Sequence, residues 1–104
     1  KPLTIIYPGA INLPKNLISK DGSIAIRVVS EGFANQLIRK LNKPLVSTSA
    51  NLSGEPSPKN KADISANVLK KVNHVVNLQS ESKSAIASSI IKLQIDGQIE
   101  IIRK

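Results

Sequence analysis

The chain has 104 residues, enough for one compact domain and too few for two. Forty per cent are hydrophobic and only Tyr7 and Phe33 are aromatic, so any core must be aliphatic. The net charge of +8 favours an anionic partner such as nucleic acid, nucleotide or phosphate, and the absence of cysteine excludes disulfides, thiolate metal sites and a cysteine nucleophile. No run is long enough to span a membrane, and no signal-peptide pattern is present. The single histidine, His74, sits in "VNHVVNL" and reads as a structural or solvent-facing residue rather than a zinc ligand or triad member.

In chain order, "LTIIY" (3–7) reads as a strand rich in β-branched residues and stopped by Pro8-Gly9. It begins almost at once, without an initiator methionine, which suggests a piece of something longer. Residues 12–20 form a short helical turn or loop closed by Asp21-Gly22, and "SIAIRVV" (23–29) is a strand. Alternation puts Ile24, Ile26 and Val28 on one face of it, with Ser23, Ala25, Arg27 and Val29 on the other. Arg27 is thus a charge projecting from an apolar strand.

"EGFANQLIRKL" (31–41) has Phe33, Leu37, Ile38 and Leu41 at helical spacing, and "PLVST" (44–48) is expected to be a strand. "DISANVLKKV" (63–72) repeats the amphipathic pattern, "HVVNL" (74–78) is expected to be a strand, and "QSESKSAIA" (79–87) is a polar connector. "SSIIKL" (88–93) and "IEIIRK" (99–104) can pair across Asp96-Gly97. The order β, β, α, β, α, β, β, β indicates an α/β domain built on a twisted mixed sheet with flanking helices.

The stretch "KPLVSTSANLSGEPSP" (43–58) places hydroxyls, an amide and a glycine directly after an expected strand end. Ligands in α/β sheets usually bind there, and backbone N–H groups at such a bend can cradle an anion. Ser47, Thr48, Ser49 and Ser53 add hydroxyls, and Asn51 both donates and accepts. The stretch has neither the spacing of a Walker loop nor that of a nucleophile elbow. A turn whose Ser and Asn side chains cap a helix and satisfy their own backbone is the alternative.

"PLVSTSANLSGEPSP" also resembles the S-x-N region of the YrdC/Sua5 family, the threonylcarbamoyl-AMP synthases. "GSIAIRV" is similar to that family's strand ending in R-x-P, "ASSIIKL" to its P-S-T-[IV]-[VI] segment, and "IEIIRK" to its closing strand. All four occur in family order and cover nearly the whole chain. The resemblance implies a YrdC-like fold, with residues 1–104 as the C-terminal part of a single domain, incomplete at the N-terminus. It implies a cytoplasmic nucleotidyltransferase that joins L-threonine, bicarbonate and ATP into threonylcarbamoyl-AMP and diphosphate for t6A37 modification of tRNA. ATP would be a substrate accompanied by Mg2+, with no tightly bound metal.

Carried over by position, Ser23, Ser49, Asn51, Ser57 and Arg103 would contact ATP, and Arg27, Ser47 and Ser89 would contact L-threonine. A guanidinium such as that of Arg27 suits a carboxylate because it binds bidentately. The chain departs from the pattern at Val29, which replaces the proline of R-x-P, and at Ser88-Ser89, which replaces S-T. The K-x-R and P-T-E-T motifs, which help bind ATP and activate the reaction, do not occur in the 104 residues. By itself the chain is therefore expected to be inactive or very weak, with no catalytic residue assigned. Two further expectations remain open: edge-to-edge pairing as a dimer through an exposed strand, and a tRNA- or double-stranded-RNA-binding module, or a non-synthase paralogue with the same cavity.

Overall fold

The computed structural model describes residues 1–77 and 86–104. It divides into two compact units, one formed by Lys1–Lys43 with Ala87–Lys104 and the other by Pro44–Ile86. Among the described residues no helix is long and apolar enough to cross a membrane.

The first unit is a four-stranded mixed sheet. Strands β1 (Leu3–Tyr7), β2 (Ile24–Arg27), β3 (Ser89–Leu93) and β4 (Ile99–Arg103) lie in the order β2-β1-β3-β4. β1 pairs antiparallel with β2 and parallel with β3, and β3 pairs antiparallel with β4. The mixed sheet with helices agrees with the α/β class read from the sequence. Residues facing each other across a ladder share a face of the sheet. The register therefore sorts the side chains into two sets.

One face is mostly apolar: Ile24 and Ile26 of β2, Leu3, Ile5 and Tyr7 of β1, Ile91 and Leu93 of β3, and Ile99 and Ile101 of β4, with Ser89 opposite Leu3 at its end. Ile24 is its best-buried member, at 8% exposure, and burying such a side chain stabilises by roughly 1.5–3 kcal/mol. The face opens toward the β4 edge, where Ile99 and Ile101 are exposed. The opposite face carries Ala25 and Arg27, Thr4 and Ile6, Ile90 and Lys92, and Glu100 and Arg103. A bulge between Ile90 and Ile91 inserts Ile102 into β4 and turns Arg103 onto the same face as Glu100.

Two turns at the same end of the sheet use one device. In Ser19–Ser23 and in Gln94–Gln98, the glycine N–H bonds back three residues and the first and fifth residues close the loop. Gly22 and Gly97 stand at φ +84° and +86°, where glycine alone adopts the conformation freely. The preceding aspartate locks each turn, since Asp21 Oδ1 accepts from Ser23 N–H at 3.0 Å and Asp96 Oδ1 accepts from Gln98 N–H at 3.0 Å.

Helix α1 (Gly32–Leu41) has the expected extent and ends on Asn42 in the left-handed region, whose N–H bonds to Ile38 O at 2.8 Å. Asn35 Nδ2 donates to Val29 O at 2.7 Å, which fixes the helix to the chain leaving β2.

The second unit corrects three expectations. Residues 44–48 form no strand; Pro44 lacks an N–H, and Val46 is 69% exposed with no ladder partner. Residues 74–77 are likewise outside any strand; Leu78 and residues 79–85 of the connector lie outside the described residues. The helix expected over 63–72 is reduced to a 3-10 turn, Lys61–Asp63, and a single α turn, α2 (Ala66–Leu69). Side-chain caps cause the break: Asn60 Oδ1 accepts from Asp63 N–H and Ser65 Oγ accepts from Asn67 N–H, so each starts its own turn. In the first unit, β2 stops at Arg27 rather than 29; the same register would set Val28 opposite Leu3 and Val29 opposite Pro2, which has no N–H to donate.

A Cβ on Gly97 would meet nothing within 4 Å, and on Gly22 only Pro8 O at 3.9 Å, so alanine there strains the backbone without a clash. Gly22→Ala and Gly97→Ala are each expected to cost about 1–2 kcal/mol. The check is the urea-unfolding midpoint with an unchanged slope.

Candidate functional site

The residues expected to contact ligand fall in both units. In the first unit they lie at opposite ends of the sheet. Arg27 closes β2, Ser89 opens β3 and Arg103 closes β4. Antiparallel and parallel pairing bring these three termini to one end, where Thr4 lies opposite both Arg27 and Ile90, and Ile90 opposite Arg103. Arg27, Thr4, Ile90 and Arg103 form a row across all four strands on the polar face.

This row is tied together by hydrogen bonds. Arg103 donates from Nε and Nη2 to Ser88 O at 2.9 and 2.7 Å, and Nη2 also reaches Ser88 Oγ at 3.3 Å. The Ser88 and Thr4 hydroxyls are 2.8 Å apart. Ser89 N–H donates to Pro2 O at 2.9 Å, which continues the β1–β3 ladder. Arg27 is exposed and makes no side-chain hydrogen bond or salt bridge among the described residues. Its guanidinium is therefore available to an anion.

Ser23 sits at the other end of β2, four residues from Arg27 and hence roughly 13 Å away along the strand. It is buried, at 6% exposure, and its hydroxyl donates to Asp21 Oδ1 at 2.6 Å. Lys92 Nζ lies 3.5 Å from Asp21 Oδ2. These groups line an open hollow of about 510 Å³ with Pro8, Gln94 and Asp96. The Ser23 hydroxyl and N–H, and then Lys92, hold the Asp21 carboxyl below its ordinary value.

In the second unit the loop from Ser47 to Ser57 carries the other four expected residues. Ser47, Thr48 and Ser49 are exposed, and their hydroxyls make no hydrogen bond among the described residues. Asn51 is built in more firmly: Nδ2 donates to Leu52 O at 3.0 Å and Glu55 O at 2.9 Å. Those two carbonyls fix the amide orientation, because a flip would set oxygen against oxygen. Asn51 Oδ1 is then shielded from solvent without a donor among the described residues, a state that costs about 1–3 kcal/mol until a donor arrives. Gly54, at φ +86°, allows the Leu52–Glu55 turn closed by Glu55 N–H to Leu52 O at 3.0 Å. Ser57 lines a hollow of about 520 Å³ with Glu55, Lys59 and Asp63. Asn51 thus satisfies backbone carbonyls of its own loop and caps no helix, while the three neighbouring hydroxyls make no hydrogen bond among the described residues. Among the described residues no group of three or more His, Asp or Glu side chains is placed to hold a metal.

A family model described as "Telomere recombination", that of Sua5, YciO and YrdC, matches residues 1–104. The chain belongs to the YrdC/Sua5 family. It is 40% identical over 101 residues to a Methanocaldococcus jannaschii protein provisionally named threonylcarbamoyl-AMP synthase, covering 96% of this chain and 45% of that protein. It is 37% identical over 65 residues to the threonylcarbamoyl-AMP synthase of Klebsiella pneumoniae, covering 62% of this chain and 34% of that one. With the Pseudoalteromonas translucida synthase the identity is 35% over 75 residues, covering 72% and 40%. The chain thus spans less than half the length of these curated relatives. No solved structure gives a significant match.

Within this YrdC/Sua5 chain, sequence reading missed Thr4, Ser88, Asp21 and Lys92. Thr4 had one weak signal, a hydroxyl within the apolar run "LTIIY". The Ser88 contact and the Asp21–Lys92 pair join residues far apart in the chain, so neither pairing was visible without the sheet.

Because the folded pKa of Asp21 is depressed, its contribution to stability is present above the ordinary carboxylate range and is lost as pH falls through the folded value. Asp21→Asn is expected to lower the urea midpoint at pH 7, with the gap to the parent chain narrowing as pH falls through the depressed folded value of Asp21. A gap that does not change with pH would contradict the assignment.

Proposed function

We propose that the chain supplies the threonine-binding side and part of the ATP-binding side of an L-threonylcarbamoyladenylate synthase. The observation that carries this reading is the alignment, along 96% of the chain, with a protein bearing that provisional name. The arrangement of the site supports it. Arg27, without a partner among the described residues, is a guanidinium suited to the carboxylate of L-threonine. Ser89, which opens β3 on the other face of the sheet, and Ser47 join the threonine set by resemblance alone. Ser49, Asn51 and Ser57 would receive ATP, with the free Asn51 Oδ1 accepting from a ligand donor. Arg103 would approach the phosphates through the part of its guanidinium not spent on Ser88. Ser23 joins the nucleotide set by resemblance alone, since its hydroxyl is engaged by Asp21 at the far end of the sheet.

Mg2+ would enter with the nucleotide, and bicarbonate would be the third substrate. In the reaction the threonine amine takes up bicarbonate with loss of water to give a carbamate. A carbamate oxygen then displaces diphosphate from the α-phosphorus of ATP. Such chemistry relies on positioning and on neutralising phosphate charge. The K-x-R and P-T-E-T motifs that serve the phosphates in this family are absent from the 104 residues, so the chain alone is expected to bind without turnover. The adenylate would serve t6A37 formation in tRNA, in the cytoplasm.

A second reading, binding of tRNA or double-stranded RNA through the backbone, is favoured by one observation. The net charge is +8, and a single salt bridge, Lys92–Asp21, occurs among the described residues. Such binding would weaken steeply with salt.

The test is a titration of the isotope-labelled chain with Mg-ATP and L-threonine, following backbone amides. Shifts confined to 47–57 and to Arg27 are expected, and Arg27→Ala should weaken L-threonine binding by about tenfold or more, as for a charged hydrogen bond. Silence at these positions, with salt-sensitive shifts on the lysines when RNA is added, would replace the first reading by the second.

A further inference from the structure

We propose that Thr4 is a direct ligand contact, its hydroxyl forming with Arg27 a notch for a small aliphatic carboxylate, and that Ser88 and Arg103 position it. This deepens the threonine side of the function proposed above and rests on that reading for the identity of the ligand.

The argument begins with proton direction. Arg103 Nη2 points an N–H at Ser88 Oγ at 3.3 Å, while Nε and Nη2 hold the Ser88 carbonyl. The Ser88 and Thr4 hydroxyls are 2.8 Å apart and either can donate; a hydroxyl that accepts from a cation becomes a better donor, which favours the order in which Ser88 donates to Thr4 Oγ1. In that order the Thr4 proton is left for an acceptor outside the sequence Arg103, Ser88, Thr4.

Thr4 is directly opposite Arg27 in the β1–β2 register, so the two Cβ atoms are on one face and about 4.5–5.5 Å apart. Two donor side chains therefore start from adjacent positions on one face: an arginine whose guanidinium has no partner among the described residues, and a threonine hydroxyl. The next positions on that face, Ala25 and Ile6, and Ile90 beside Thr4, are apolar. Ala25 is also small. A carboxylate with a short aliphatic body satisfies both donors and covers these methyl groups.

The experiment measures binding of acetate and of L-threonine, separately, to the parent chain, Thr4→Val and Thr4→Ser, by amide shifts of residues 4, 27 and 88. Valine keeps the β-branched shape and removes the hydroxyl, and serine restores it. The β1–β3 amides outside the site report whether each variant keeps the sheet. The expected result is an affinity loss of about tenfold for both ligands in Thr4→Val, with Thr4→Ser close to the parent chain. Unchanged binding in Thr4→Val would overturn the notch and leave the threonine reading standing. Thr4-dependent binding of acetate without binding of L-threonine would support the notch and overturn the ligand assignment. Binding of neither carboxylate would overturn the notch, and the nucleotide titration would then decide the functional reading.

Discussion

The structure of the first unit depends on the parallel pairing of β1 with β3. That ladder closes a loop of more than eighty residues, and every other juxtaposition of functional interest follows from it. It brings Ser88 to Thr4, sets the Asp21 turn beside Lys92, and places Arg27 and Arg103 at the same end of one sheet. Parallel pairing across so long a loop is entropically expensive and slow to form, because closure precedes the reward of contact. The flanking antiparallel pairs are local by comparison, each joined by a segment whose last turn is an Asp-Gly device.

Those turns show how a small aliphatic chain obtains definite register. Each glycine takes a positive φ that lets the chain reverse, and each aspartate accepts from the residue two positions on. Asp21 does more than its counterpart, because it also receives the Ser23 hydroxyl and faces Lys92 across the sheet. An exposed ion pair of this kind contributes little to stability. Its main consequence is to keep Ser23 engaged at the end remote from Arg27.

The two faces of the sheet divide the labour. The aliphatic face provides burial, centred on Ile24, while the polar face lines up cationic and hydroxyl groups in one row. The bulge in β4 is what puts Arg103 in that row; in an unbulged ladder its side chain would have turned to the aliphatic face. An apparent irregularity of pairing thus creates the polymer of hydrogen bonds from Arg103 to Thr4. In the second unit the fixed orientation of Asn51 shows the same economy, with backbone carbonyls holding the amide so that its oxygen stays free.

The sequence by itself determined the four strands of the sheet, helix α1 and both Asp-Gly turns, because period-two alternation, helical spacing and glycine conformation are local properties. It also marked Arg27, a charge in an apolar strand, and the hydroxyl-rich loop. It misread residues 44–48 and 74–77, because an apolar run becomes a strand only when another strand supplies hydrogen bonds, and no such partner is paired with them. It overextended the helix at 63–72, because the caps at Asn60 and Ser65 compete with a continuous helix through side-chain oxygens. Tertiary structure alone decided which polar groups meet: Thr4 with Ser88, Asp21 with Lys92, and Ser23 apart from Arg27. Those relations are fixed by strand order, register and one bulge, and a ladder between distant segments leaves no periodic trace in either of them.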